Sequence, residues 1–335
     1  MRVGILAFSE RGLALGERLA GLLGDGAAAE RCGDGALAAW TRAHFSSDDA
    51  LVFIGSAGLA VRAIAPHIQS KTTDPAVVVA DELGTYAVSL LSGHLGGANE
   101  LAVKVARLLD AIPVVTTATD LRGIFAVDSW ARRQGLAIEN PERIKRVSAR
   151  LLSGATVTLK SEFPVEGALP GGVELTDGPA DILVTHRMGG RAEALRLVPP
   201  VVVLGVGCKK GVDAEVIECA FSMMLDKARC LSAAVARVCS IDLKANEPGI
   251  VAFCRRRALP YRTFSAEELA AVPGKFEGSA FVRSVTGIDN VCERSAVLGC
   301  GEGGVLLSGK NAGNGVTMAL AVEPYALRFG EGARA

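Results

Sequence analysis

Three observations predict an α/β chain in three parts: an N-terminal parallel-sheet α/β domain (1–122), a small middle α/β domain (123–198) and a C-terminal α/β domain (199–328). Short unbroken apolar runs, such as Ala50-Leu-Val-Phe-Ile, alternate with stretches of helical periodicity, as in buried parallel strands joined by helices. Glycine-rich turns join strand to helix at 55–58, 92–97 and 205–211. The chain has 335 residues, half of them hydrophobic and only 5% aromatic, which suits two or three cores with close helix-on-sheet packing.

The N-terminal elements follow in order. Residues 2–8 read as a strand and Gly12–Leu23 as a helix with apolar residues at 15, 19, 22 and 23. The Gly- and Ala-rich stretch 24–36 reads as a connection without assigned structure. A helix near 36–45 leads to the strand Ala50–Ile54. The loop Gly55-Ser56-Ala57-Gly58 then opens a helix from Leu59 to Ala65, stopped by Pro66. Lys71-Thr-Thr-Asp-Pro75 is a polar loop, where Lys71 either holds a ligand carboxylate or is a solvated lysine. A strand from Ala76 to Ala80 follows.

The most informative stretch runs from Ser89 to Asp120. A β-rich run, Tyr86–Leu91, stops at Ser92-Gly93. His94 sits among Gly93, Gly96 and Gly97, and a helix starts near Ala98 or Asn99 with apolar residues at 101, 105, 108 and 109. The next strand, Pro113–Thr117, ends among Thr116, Thr117, Thr119 and Asp120. In a parallel sheet, strand ends and the helix N-termini that follow them share one edge, where ligands bind. Glycines there admit positive φ and close approach to main-chain N–H groups, and a helix N-terminus adds positive potential, so an anionic ligand is the expected guest. Asn99 and Glu100 converge on the same turn.

After Asp120, Ile124–Arg133 reads as a helix carrying Asp128 one turn from Ala131-Arg132, and 139–149 as a charged helix opened by Asn140-Pro141. Short β-like runs at Ala155–Lys160, Ile182–Thr185 and Ala194–Val198 make up the middle domain, in which His186 is expected at the surface. Val198-Pro199-Pro200 marks a linker. The strand Val201–Val206 runs into Gly205-Val-Gly-Cys-Lys-Lys-Gly211, and Asp213 is placed to cap a helix from Ala214 to Leu225. The glycine spacing matches a dinucleotide fingerprint only weakly, and no Gly-Lys-Ser/Thr makes a P-loop. Lys209 and Lys210 suit carboxylates or phosphates alike. Strands at 235–241 and 261–264, a helix at 248–257 and a capping box at Ser265-Ala-Glu-Glu268 continue the alternation.

Composition narrows the function classes. Thirty-six basic and thirty-six acidic residues cancel, so attraction to nucleic acid or a membrane through bulk charge is disfavoured. No run of 18 apolar residues and no secretory signal pattern appears, which predicts a soluble, cytoplasmic protein. Eight cysteines without a Cys-x-x-Cys pair read as reduced, mostly core residues, with no metal site expected.

Several of these stretches resemble one family. Ser56-Ala-Gly-Leu-Ala-Val-Arg62-Ala-Ile-Ala-Pro66, Lys71-Thr-Thr-Asp-Pro-Ala-Val-Val-Val, Leu90-Leu-Ser-Gly-His-Leu-Gly-Gly-Ala-Asn-Glu100 and Thr116-Thr-Ala-Thr-Asp120 are similar to the N-terminal domain of the cobalamin-biosynthesis family CbiG. Gly205–Gly211, Ser240-Ile-Asp-Leu-Lys-Ala-Asn-Glu247, Val291-Cys-Glu293 and Gly315-Val-Thr-Met-Ala are similar to its C-terminal domain. The likeness spans almost the whole chain and is most specific from 51 to 130. Lys209 and Lys210 stand where the family frequently has arginine, a change that keeps charge and loses the bidentate fork.

The resemblance implies cobalt-precorrin 5A hydrolase activity in anaerobic cobalamin synthesis. The δ-lactone of a ring-contracted cobalt tetrapyrrole is opened and acetaldehyde released, giving cobalt-precorrin 5B. Cobalt arrives inside the substrate and no cofactor is expected. The implied partner is that tetrapyrrole, with pathway methyltransferases and a second copy of the chain as candidate protein partners. For chemistry, His94 is the candidate base for water, Gly96 and Gly97 N–H the oxyanion donors, and Glu100 or Asp120 the acceptor for the later proton. Ser56, Gly58, Arg62, Lys71, Ser92, Gly93, Asn99, Thr116, Thr117, Lys209, Lys210, Lys244 and Glu247 are the candidate substrate-binding residues. The residues alone leave open a non-catalytic tetrapyrrole carrier and a sugar-phosphate or nucleotide enzyme.

Overall fold

A computed structural model of the chain describes residues 1–70, 73–117, 123–189 and 193–330. The chain divides into two compact units, 1–132 with 148–155 and 133–147 with 156 onward.

The first unit is built on β1 (Val3–Ala7), α1 (Glu10–Leu23), β2 (Ala27–Arg31), α2 (Leu37–Ser47), β3 (Ala50–Ile54), α3 (Ala57–Ile64), β4 (Ala76–Ala80), β5 (Tyr86–Leu91), α4 (Ala98–Leu109), β6 (Ile112–Val114) and α5 (Val127–Arg133). Six strands form one sheet in the order β2-β1-β3-β4-β5-β6. β1, β3 and β4 are buried on both faces, which explains their unbroken apolar runs. Ile5, Val52 and Val78 pack with Leu19, Leu101 and Val105 on one face. Leu6, Phe53 and Val77 pack with Trp40, Phe45 and Ile64 on the other.

Two features depart from the sequence reading. β2 lies inside the stretch without assigned structure. Its Ala-Ala-Ala-Glu-Arg has no β-branched residue, and pairing along β1 makes it a strand. β5 runs antiparallel to β4, and β6 is parallel to β5. The link between β4 and β5 is too short for a crossover helix and closes as a hairpin. Asp81 builds it, accepting from Leu83 N at 2.9 Å and Tyr86 N at 2.6 Å. Burial pushes the Asp81 carboxyl up, and these hydrogen bonds outweigh it and hold it below the usual range.

The second unit holds two five-stranded sheets. The middle one is made of β7 (Ala137–Ile138), β8 (Val157–Ser161), β10 (Val173–Leu175), β11 (Ile182–Val184) and β12 (Leu195–Val198), in the order β10-β8-β11-β12-β7. Only β7 is antiparallel to its neighbour. α6 (Ile144–Leu152) precedes β8, and a two-residue strand β9 (Val165–Glu166) pairs with β18 (Leu327–Arg328).

β13 (Val202–Cys208), α7 (Ala214–Ala228), β14 (Val235–Ile241), α8 (Pro248–Arg257), β15 (Tyr261–Phe264), α9 (Ala266–Ala270), α10 (Ala280–Thr286), α11 (Cys292–Gly299), β16 (Val305–Gly313) and β17 (Val316–Val322) complete the chain. Their sheet runs β15-β14-β13-β17-β16, with β13, β14 and β15 parallel. Phe221 and Phe253 meet edge to face, centroids 5.2 Å apart, in its core. The Ser265 and Glu268 capping box forms as expected, whereas Asp213 sits at the N-cap of α7 without a side-chain capping bond.

Pro199 is buried and its carbonyl accepts from Val201 N, so Val198-Pro-Pro is a tight connection and not a loose linker. His186 is buried, not at the surface, because its carbonyl accepts from Leu231 N and its ring faces Glu162, Nδ1 to Oε2 3.1 Å. All eight cysteines are free thiols, four of them buried. No helix among the described residues is long and apolar enough to cross a membrane.

Candidate functional site

The hairpin reversal of β5 decides how the site is assembled. Leu91 pairs with Val77 near the start of β4, while Ile54 pairs with Ala80 at its end. The Ser92–Gly97 turn and the Ser56–Gly58 helix start therefore lie on opposite edges of one sheet, not on a shared edge. β6 runs parallel to β5, so Thr116 and Thr117 join the Ser92–Gly97 edge.

On that edge the turn is tightly built. Ser92 has φ 57° and Gly97, the N-cap of α4, φ 86°. Gly97 N donates to the His94 carbonyl, Ala98 N to that of Ser92 and Asn99 N to that of Gly93. Of the two oxyanion donors expected from Gly96 and Gly97, only Gly96 N–H has no partner among the described residues. The glycines make room for the protein's own atoms. A Cβ on Gly93 would lie 2.7 Å from Asn99 Oδ1, one on Gly96 2.4 Å from Ser92 Cβ, and one on Gly97 2.4 Å from the Arg132 guanidinium. Asn99, buried, accepts from Ser89 Oγ at 2.6 Å and donates to Thr117 Oγ1 at 3.0 Å, tying β5 to the segment after β6. Thr116 is exposed. Lys71 and Asp120 lie outside the described residues.

α5 supplies two residues that sequence reasoning did not assign to the site. Asp128 and Arg132 stand at i and i+4, hence on one helix face. Asp128 Oδ2 is 3.7 Å from His94 Nδ1, with the side chains 7% and 17% exposed. Arg132 pairs with Glu100 and covers Gly97. The usable signal was a carboxylate inside the apolar run Val127-Asp-Ser-Trp-Ala131, since a buried charge demands a partner.

Ser56 caps α3, its Oγ accepting from Leu59 N at 3.4 Å, and Gly58 is helical rather than part of a loop. Arg62, exposed, reaches back to the Gly58 carbonyl at 3.5 Å.

In the second unit the loop after β13 meets the loop after β14. Glu247, buried, accepts from Gly211 N at 2.7 Å and from Lys244 Nζ at 2.8 Å. Burial pushes its carboxyl up, and these two donors outweigh it and hold it below the usual value. Lys209 and Lys210 are exposed, and Lys209 N donates to Gly315 O at 2.8 Å. Gly205 and Gly207 belong to β13 and not to a ligand loop. A Cβ on Gly205 would lie 1.8 Å from the Cys292 carbonyl oxygen, so this glycine lets α11 press against the sheet. Glu293 of α11, buried, accepts from Glu277 N at 2.8 Å and Lys310 N at 2.7 Å, which ties the segment before α10 and strand β16 to α11. Among the described residues no three His, Cys, Asp or Glu side chains are gathered to hold a metal ion.

Three family models match in succession: cobalamin synthesis G N-terminal over 39–120, cobalamin biosynthesis central region over 125–194 and cobalamin synthesis G C-terminus over 202–321. The chain is 33% identical over 280 residues to the cobalt-precorrin-5A hydrolase of Salmonella typhimurium, covering 79% of this chain and 80% of that protein. This chain belongs to the CbiG family. A second relative within reach of the same family name, the cobalt-precorrin-5A hydrolase of Priestia megaterium, is 34% identical over 302 residues, 84% of this chain and 80% of its own. Protein CobE of a Sinorhizobium species is 32% identical over 120 residues, 36% of this chain and 78% of its own. As a CbiG-family chain, it carries all three family regions in order.

Proposed function

We infer that this chain is a cobalt-precorrin-5A hydrolase of cobalamin biosynthesis. The observation that carries the reading is its one-third identity, over four fifths of their length, to two relatives of that name. The reaction opens the δ-lactone of the cobalt-bearing macrocycle and releases its two-carbon unit as acetaldehyde, with cobalt travelling as part of the substrate.

The Ser92–Gly97 turn supports a hydrolytic role. His94 is 17% exposed in its side chain, reachable by a water molecule, and imidazole is the side chain suited to take a proton near neutral pH. Gly96 N–H is the donor available to the tetrahedral oxyanion, an interaction worth about 3 kcal/mol. After the lactone opens, removing the proton of the freed hydroxyl lets the carbon–carbon bond break. The electron pair passes into the macrocycle as acetaldehyde leaves. The substrate's many carboxylates suit exposed cations such as Lys209 and Lys210, whereas Arg62 stands on the sheet edge away from His94.

Incubating the purified chain with cobalt-precorrin 5A while following acetaldehyde and the corrinoid mass tests the reading. Acetaldehyde with a product of the mass expected for cobalt-precorrin 5B is the predicted result. A corrinoid that binds and returns unchanged would make the chain a carrier.

A further inference from the structure

We propose that Asp128 is the positioning residue for His94, an inference that rests on the hydrolase reading for its kinetic consequences. Asp128 is 5% exposed on α5, beside the buried Val127, Trp130 and Ala131. One carboxylate oxygen accepts from Ser129 N at 3.0 Å and the other faces His94 Nδ1 at 3.7 Å. A carboxylate so buried is stabilised only by hydrogen-bond or ionic partners, and the Nδ1–H edge of an imidazole is such a partner.

Among the described residues, the other carboxylates around the turn have partners of their own. Asp74 accepts from Gln69 N and Ser70 N of its own loop, and Glu100 pairs with Arg132. The separation exceeds a direct hydrogen bond, and contacts of this kind commonly tighten when substrate binds.

Asp128 thereby keeps the proton on Nδ1 and leaves Nε2 as the basic nitrogen. Water attacks the lactone carbonyl carbon as Nε2 takes one of its protons. The carbon–oxygen bond to the ring oxygen breaks, and Nε2 passes that proton to the departing alkoxide. The products are a carboxylic acid and an alcohol, and the imidazole is restored. The Asp128 carboxylate favours the transient imidazolium, as the carboxylate of a Ser-His-Asp triad does.

Two measurements test the assignment. In the wild-type chain, ¹⁵N NMR of labelled histidines, assigned with His94→Gln, gives the tautomer of His94. The Nδ1–H form is expected, and a dominant Nε2–H form overturns the proposal. In turnover, Asp128→Asn lowers kcat at least about tenfold with KM within about twofold, Asp128→Glu restores part of it, and Asp128→Asn adds no further loss on top of His94→Ala. Wild-type kcat in Asp128→Asn, or losses that multiply in the double variant, overturns it. Should Asp128→Asn fail to fold, the wild-type tautomer still decides. Absence of acetaldehyde from the wild-type chain defeats the hydrolase reading, while the tautomer continues to judge Asp128.

Discussion

The Ser92–Gly97 turn and the Gly205–Gly211 segment look alike in sequence, each a strand running through glycines into a helix, yet they use their glycines differently. In the first, Gly93, Gly96 and Gly97 lie beyond the strand, and they fold a turn that sets His94 facing Asp128 and Gly97 under Arg132. In the second, Gly205 and Gly207 are strand residues, and Gly205 admits the backbone of α11. Only the end of that segment is a loop, held by the buried Glu247 through Gly211 N. A glycine pattern reports close approach to the backbone; what approaches is set by the fold. Here it is the protein itself in both places.

Substitutions can break that contrast, starting from the largest effect. His94→Ala removes the imidazole from the first turn and is expected to lower kcat by about 10²- to 10⁴-fold, roughly 3–5 kcal/mol in the barrier. The melting temperature should stay near wild type, as followed by acetaldehyde release and calorimetry. Gly205→Ala should do the reverse. Its Cβ meets main-chain atoms that cannot rotate away, so a loss of about 3 kcal/mol in the second unit is expected, visible as a fall of roughly 6–12 °C in melting temperature.

Glu247→Gln sharpens the comparison at the loop end. It removes the charge facing Lys244 and should cost about 1–2 kcal/mol at neutral pH. Because the folded-state value of Glu247 is depressed, its contribution is present above the ordinary value of 4.5 and is lost as pH falls through the folded value. Denaturation curves of the two chains should therefore converge in acid, and a gap that persists there would contradict the ion pair. Smallest is Ser56→Ala, which removes the α3 cap and is expected to cost about 0.5–1 kcal/mol by urea unfolding.

Much of the fold was legible because burial imposes patterns. Ala50–Ile54 and Ala76–Ala80 are unbroken apolar runs, since each is covered on both faces. The helix at 248–257 and the Ser265 cap follow from local signals that need no tertiary partner. β2 carried no such signal, because an edge strand of alanines is made by its neighbour. His186, expected at the surface, is buried by contacts with segments far along the chain.

The candidate site divides the same way. Sequence by itself determined the family, the turn with its histidine and the helix that starts at Ala98, since these depend on residue type and spacing along a few turns of chain. Tertiary structure decided that Ser56 and Arg62 stand on the edge away from His94, because a short hairpin at Asp81 reverses β5. It also decided that Asp128 and Arg132 meet a turn more than thirty residues earlier, a contact set by packing of α5 and by no local pattern.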